Sequence, residues 1–352
     1  MNIKNEVYYK IISGSLLIIG GYFLILGLIK VKAFLAPLVI AGILSLVIYP
    51  LCKKIEKKLF KSLACVLSAL LLFILSLGVV LIVYYQLQGF IEEWPSIKEN
   101  MAPKIESLKA FIIAETPITS KDISNQSLSK IGSQIKKPTD KIFVFLTSTG
   151  SFIGSYLLVF IYIFFLLRYR KRFLQFLIKL FPARHKKEIE HTANQLTKVI
   201  SEYLVGKLFL MGILVILYSV GLGISGVDNF ILISLIASLL TLIPYIGNVI
   251  GFCLAFGYGY LVSGEVSVLI GVVITFTLSQ FLESYVLQPY VIGGRVNLHP
   301  FLVILMVIVW SAIWGIAGMI LAVPLTAILT TIMLHIPKLK IVGELFQNKP
   351  ID

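Results

Sequence analysis

The 352-residue chain is 58% hydrophobic and only 14% charged, with a mean hydropathy of +0.96, which is far more apolar surface than a soluble core needs. Its formal net charge is +14, but the cations gather in short runs beside apolar stretches, the pattern of topology signals and inner-leaflet contacts and not of a nucleic-acid-binding face. Cys52, Cys65 and Cys253 form no CxxC pair, so neither a disulfide framework nor a zinc site is expected, and no cofactor is implied.

Lysines precede the apolar run Ile11 to Ile29, as in a signal peptide, but the run is long and lacks a small-x-small cleavage site. It reads as an uncleaved first span. A short turn around Lys30 and Lys32 leads to a second, Ala33 to Leu51. Lys53, Lys54, Lys57, Lys58 and Lys61 then crowd one loop, which the positive-inside rule puts in the cytoplasm together with the N-terminus two spans earlier. Ser62 to Tyr85 is a third span and completes an N-terminal region, 1–85. Residues 86–141 are polar with nearly balanced charge and read as an extracytoplasmic helical segment. Within it Ile97, Met101, Ile105, Leu108 and Ile112 recur at helical spacing, suiting a membrane surface, a partner subunit or a solvated cap. Ser120 to Pro138 has the composition of its least ordered part.

Span four occupies 142–167, followed by a basic, amphipathic cytoplasmic segment, 168–207. From Arg168 to Lys187 there are eight Lys/Arg and no acid. Pro182 opens a helix with Ile189, Leu196, Val199, Ile200 and Tyr203 largely on one face, expected to lie along the inner interface. Its cluster Arg184-His185-Lys186-Lys187 suits anionic lipid or a nucleotide, lipid-facing topology being the simpler reading.

Residues 208–336 read as a transport core. From Leu208 to Ile336 the only formal charges are Asp228, Glu265, Glu283 and Arg295. Span five, Leu208 to Ile224, and span six, Val266 to Ile292, alternate with two long apolar blocks. Asn229 to Val262 is interrupted by Pro244-Tyr245-Ile246-Gly247-Asn248, and Phe301 to Ile336 by Gly315-Ile316-Ala317-Gly318. A continuous helix over either block would reach roughly 50 Å against a ~30 Å hydrocarbon core. The expectation is therefore an all-α polytopic membrane protein of six full transmembrane helices plus two re-entrant or broken helical hairpins, about eight hydrophobic segments in all. The hairpins would form an inverted repeat in the C-terminal half, with 337–352 as a cytoplasmic tail. Eight tilted crossings are the competing layout.

Glu283 is the ionisable residue within a span of this half, so by default it faces a cavity, an ion or a substrate path. Thr277, Gln280, Ser284 and Gln288 follow 3-4-4 spacing and make a polar stripe with Glu283 on its shoulder. Snorkelling to the inner interface, or pairing with Arg295, is the competing structural role. Pro244 and Pro324 free backbone carbonyls that can ligate Na⁺ in broken helices, or simply kink them. Tyr245, Gly247, Gly315 and Gly318 mark the hairpin turns, and Asn248 offers an amide or a cap beside the first. Arg295, with Asn297 two residues on, suits an anionic substrate or an interfacial anchor.

The segments Leu242-Ile243-Pro244-Tyr245-Ile246-Gly247-Asn248, Glu283-Ser284-Tyr285-Val286-Leu287-Gln288-Pro289, Gly293 to Pro300, and Trp314-Gly315-Ile316-Ala317-Gly318 through Ala322-Val323-Pro324-Leu325 come in the order seen in the autoinducer-2 exporter family. The chain resembles that family, also called PerM-like permeases, over nearly its full length, although Asn248 stands where members often carry another residue. The resemblance implies a multi-pass bacterial inner-membrane transporter. Members have been linked to export of autoinducer-2, others to Na⁺/H⁺ antiport, and the motifs do not decide between them.

The leading expectation is a secondary transporter of a small polar solute such as autoinducer-2, coupled to H⁺ or Na⁺. A Na⁺/H⁺ antiporter and a passive channel or structural membrane assembly are the alternatives. An enzyme is not expected: there is no HExxH, GxSxG or Walker A motif, since Gly206-Lys207 lacks the first glycine and is followed by leucine. The expected partners are membrane lipid, the solute or ion, and further copies of the chain, with no nucleic acid.

Overall fold

The computed structural model describes residues 3–115, 149–179, 182, 186–291, 293, 297–336 and 339–348. Among the described residues every regular element is helical. In chain order these are α1 (Ile3–Lys30), α2 (Lys32–Ile55), α3 (Lys61–Glu115), α4 (Thr149–Lys179), α5 (Lys186–Ile224), α6 (Phe230–Leu240), α7 (Ile246–Val262) and α8 (Val266–Phe281). A π-helical turn, Leu282–Leu287, then precedes α9 (Gln288–Val291), α10 (Pro300–Trp314), α11 (Ile316–His335) and α12 (Lys340–Leu345). Among the described residues five stretches are long and apolar enough to cross a membrane: α2, α3 over Lys61–Glu92, α5, the run Val266–Val291, and α11. The Gly14–Lys30 part of α1, and α6, α7 and α10, are shorter apolar helices.

Two boundaries read from the sequence differ in the structure. The helix of the third span does not stop at Tyr85: α3, 55 residues long in all, continues through Pro95 and Pro103 to Glu115, so the segment from 86 begins as its continuation. Residues 116–148, which include Ser120 to Pro138 and the start of span four, lie outside the described residues. The amphipathic stretch after Pro182 is likewise no separate interfacial helix. It is the first part of α5, 39 residues long, because the stretch from Lys186 to Lys207 is rich in good helix formers and holds no proline to break it before the apolar run.

Both long apolar blocks are broken where the sequence interrupts them. The first divides at 241–245 into α6 and α7, which pack on each other, and the second at Gly315 into α10 and α11, which do the same. With 11, 17 and 15 residues, α6, α7 and α10 reach only roughly 16, 25 and 22 Å, short of a ~30 Å core.

The chain divides into two compact units, one of residues 1–65, 158–201 and 296–352, the other of 66–157 and 202–295. In the second unit α5 sets Leu210, Leu214, Tyr218 and Leu222 in one buried stripe at intervals of four. These pack into a core with Ile233 and Ala237 of α6, Ala255 of α7, and Val268, Val272 and Phe276 of α8, with the Tyr218 ring stacked on Phe276 at 4.6 Å. A Cβ on Gly221 would collide with Thr275, and one on Gly271 with Ser225, so glycine lets the backbones of α5 and α8 come close.

In the first unit, Trp314 donates from its indole nitrogen to the Leu28 carbonyl at 3.2 Å, and Phe34 meets Tyr162 edge to face. The short loop between α2 and α3 leaves Lys53, Lys54, Lys57 and Lys58 exposed. Glu56, at the C-cap of α2, accepts from Arg170 of α4, and that hydrogen bond holds its carboxyl below the usual range against the opposing effect of burial. Cys52 and Cys65, with no CxxC spacing, nonetheless face each other with 3.9 Å between their sulfurs.

Candidate functional site

Along α8 and into the π-helical turn, Thr275, Ser279 and Glu283 recur every fourth residue and are buried. That is the face turned to the core. The stripe read from the sequence sits differently: Thr277, Ser284 and Gln288 are exposed and Gln280 is half-buried, while Glu283, at the stripe's shoulder, is 1% exposed. Thr277, Gln280, Ser284 and Gln288 do share a face, but it lies roughly 100° round the helix from the Thr275, Ser279 and Glu283 face that meets the core.

Glu283 does not reach an interface here, and its partner comes from an unexpected quarter. Its Oε1 accepts from Lys207 Nζ of α5 at 3.4 Å, and its Oε2 accepts from Asn248 Nδ2 of α7 at 3.2 Å. Asn248 Nδ2 also donates to Gln280 Oε1 at 2.6 Å, and Gln280 Nε2 donates to Ser284 Oγ at 3.0 Å. Three helical stretches thus converge on one carboxylate. Arg295, the partner weighed from the sequence, lies outside the described residues.

Lys207 is the residue that sequence reasoning missed. A charge count beginning at Leu208 excludes it by one position, and Gly206-Lys207 draws notice only as an incomplete nucleotide-binding motif. The signal was present: Lys207, Leu210, Leu214 and Tyr218 share helical spacing, so the lysine falls on the buried stripe of α5. Removing one charge of such a pair would leave the other uncompensated in a dry core.

Asn248 is positioned by an unusual turn. Tyr245, 52% exposed, has φ 61° and ψ −55°, and Ile246 N–H donates to the Pro244 carbonyl at 2.6 Å, the geometry of the rare and strained γ-turn. Gly247 follows because a Cβ there would strike the Leu240 carbonyl. The next residue, Asn248, then points its amide at Gln280 and Glu283. Its Oδ1 is buried with no partner among the described residues, leaving an oxygen acceptor beside the ion pair.

The other candidates belong to the first unit. Gly315 has φ 65° and ψ −138°, a conformation open to glycine, and a Cβ on Gly318 would strike the Trp310 carbonyl. Pro324 is buried inside α11, near the buried Thr326 and Thr330 hydroxyls that lack partners among the described residues. Asn297 is half-buried in the short stretch before α10. The structure therefore gathers Glu283, Asn248, Gln280 and Ser284 in one hydrogen-bonded network behind the turn Pro244, Tyr245 and Gly247, and leaves Thr277 and Gln288 outside it.

Several apolar helices of membrane-crossing length, two broken blocks and a charged pair inside the protein define a multi-pass helical membrane protein. The chain belongs to the AI-2E transporter family: the model described as AI-2E family transporter matches residues 15–338. It is 25% identical over 333 residues to the Bacillus subtilis protein called "Putative transport protein YueF", covering 89% of this chain and 86% of that one. It is 31% identical over 141 residues to "Putative transport protein YrrI" of the same organism, covering 40% and 39%. A Mycobacterium tuberculosis "Putative transport protein" is 26% identical over 309 residues, covering 85% and 82%.

Proposed function

We propose that this protein is a secondary transporter of the bacterial cytoplasmic membrane, exporting a small polar solute such as autoinducer-2 in exchange for, or together with, H⁺ or Na⁺. The observation that carries the reading is the buried Lys207–Glu283 pair with Asn248 on the second carboxylate oxygen. A charge inside a membrane protein is costly, and a carboxylate held there is a point at which an ion gradient can act. A proton or Na⁺ arriving at Glu283 takes over the neutralising role of Lys207, and the freed ammonium then biases how α5 sits against α7 and α8. The buried Asn248 Oδ1 adds a neutral oxygen of the kind that ligates Na⁺ in broken helices. The names of the relatives, which speak of transport, and the make-up of this cluster support ion handling over catalysis.

Na⁺/H⁺ antiport is the second reading, favoured by the same detail: two carboxylate oxygens and an amide oxygen suit a bare cation as cargo. In either case each of the α6–α7 and α10–α11 hairpins is re-entrant, with Gly315, Gly318 and Pro324 shaping the second. The basic runs Lys53 to Lys61 and Arg168 to Lys187 support cytoplasmic termini.

The test is flux in liposomes under imposed proton and Na⁺ gradients. Autoinducer-2 or Na⁺ should move only when a gradient drives it; Glu283→Gln, which keeps shape but cannot titrate, should abolish driven flux, and so should Glu283→Gln combined with Lys207→Met, which strands no buried charge and should elute as wild type. Flux through wild type that ignores both gradients would establish a passive channel, and a Glu283→Gln variant with unchanged pH and Na⁺ dependence would remove Glu283 from coupling.

A further inference from the structure

Apart from the transport cluster, the first unit gathers three metal-ligating groups that the sequence spacing keeps apart. Cys52 lies in the last turn of α2, Glu56 follows it one turn later at the C-cap, and Cys65 lies just inside α3. Both thiols are fully buried, their sulfurs are 3.9 Å apart, and the ligating atoms of all three residues lie within 4.8 Å of one another. Arg170 takes Glu56 Oε2, but Oε1 is buried and has no partner among the described residues. An unsatisfied carboxylate oxygen in such a place is costly, and here it adjoins two sulfurs.

We propose that Cys52, Cys65 and Glu56 bind a thiophilic divalent cation of the zinc class, with Arg170 as the residue that positions the carboxylate. The spacing fits the chemistry. Zinc–thiolate bonds of about 2.3 Å at a tetrahedral angle put two sulfurs about 3.8 Å apart, close to the separation already present. Cys52 and Glu56, four apart at the end of one helix, share a face, and Cys65 closes from the next helix. Two thiolates and a carboxylate over-compensate a divalent ion by one negative charge, and the Arg170 guanidinium returns the largely buried site to neutrality. Arg170 thereby acts as outer partners commonly do for ligating carboxylates, fixing one oxygen so that the other faces the ion. Both thiol protons leave to solvent when the ion binds, and a water completes the coordination. Bound metal would clasp α2 to α3 across the lysine-rich loop.

The same two sulfurs could instead join as a disulfide, which requires them to close to about 2.05 Å. Cobalt binding separates the two. The full-length protein in detergent, kept under a non-chelating phosphine reductant, is titrated with Co²⁺ and back-titrated with Zn²⁺. One cobalt per chain should bind, with sulfur-to-cobalt charge-transfer absorption and the intense visible bands of a tetrahedral site, and zinc should displace it. Cys52→Ser and Cys65→Ser should each lose the charge-transfer band or weaken it sharply, whereas Cys253→Ser, altering the exposed third cysteine, should change nothing. Arg170→Gln should weaken binding by about 10- to 100-fold with the band retained, and Arg170→Lys should recover part of that loss. Elution volumes check that every variant folds. The proposal is overturned if reduced wild type shows no thiolate band, if the band survives in both Cys52→Ser and Cys65→Ser, or if Cys52 and Cys65 prove to be a disulfide that resists the reductant.

Discussion

In the α6–α7 hairpin the returning helix sets Gly247 against the Leu240 carbonyl, and in α10–α11 Gly318 stands against the Trp310 carbonyl in the same way. Each turn also holds a residue at positive φ, Tyr245 in the first and Gly315 in the second. The steric device is shared, but the polar chemistry is not. Three residues after the strained Tyr245, α6–α7 presents Asn248 to Gln280 and Glu283, and so ties its tip to an ion pair. The buried polar groups of α10–α11, Thr326 and Thr330, make no such connection among the described residues. One hairpin is built around a charge and the other around packing, and a substitution should reveal which is which.

The largest effect is expected at the charge. Lys207→Met leaves the Glu283 carboxylate, 1% exposed, without its counter-ion, and loss of one member of a buried pair typically costs about 3–5 kcal/mol. Combining it with Glu283→Gln removes the stranded charge, so the double variant should melt well above Lys207→Met alone. A double-mutant cycle of detergent melting temperatures measures this. If the two losses simply add, Lys207 and Glu283 are not coupled and the first hairpin is no more charge-centred than the second.

Next come the turn glycines, where the hairpins should behave alike. Gly247→Ala and Gly318→Ala each force a methyl group onto a backbone carbonyl, a clash worth about 1–3 kcal/mol or more. Gly257, in the middle of α7, has open space around its would-be Cβ, so Gly257→Ala should be neutral or mildly stabilising. Thermal melting of the three variants side by side tests the shared device. Tolerance of alanine at one turn and not at the other would show that only one hairpin is tightly closed.

Much of this was legible in the sequence, for identifiable reasons. Glycine and proline interruptions in blocks too long to cross a bilayer announce a break, and the breaks fall at 241–245 and at Gly315 as their residues suggest. Glu283 stands out because it is an acid in apolar surroundings. Lys207 did not stand out, because it sits at the edge of an apolar run where lysines usually mark an interface, and only tertiary packing turns it inward. The polar stripe Thr277, Gln280, Ser284 and Gln288 occupies one face, but spacing alone does not say that the core lies against the neighbouring face of Thr275, Ser279 and Glu283 instead. Cys52, Glu56 and Cys65 were invisible as a group because they meet only when α2 and α3 fold back across their loop.

The smallest effect, and the one that most sharpens the contrast between hairpins, is expected at Thr326. Its side chain is 1% exposed within α11, and its hydroxyl finds no partner among the described residues, whereas Thr331 in the same helix bonds back to the Ala327 carbonyl at 2.9 Å. Burying a hydroxyl without a hydrogen bond costs about 1–3 kcal/mol, and valine keeps the branched shape while removing that cost. Thr326→Val should therefore leave the melting temperature unchanged or raise it slightly, and driven flux should match wild type. Asn248→Leu, the corresponding change in the first hairpin, strips a donor from both Gln280 and Glu283 and should lower both stability and driven flux. If Thr326→Val instead loses flux while its stability holds, the hydroxyl serves the transported solute or ion, and the second hairpin is part of the path in the same sense as the first.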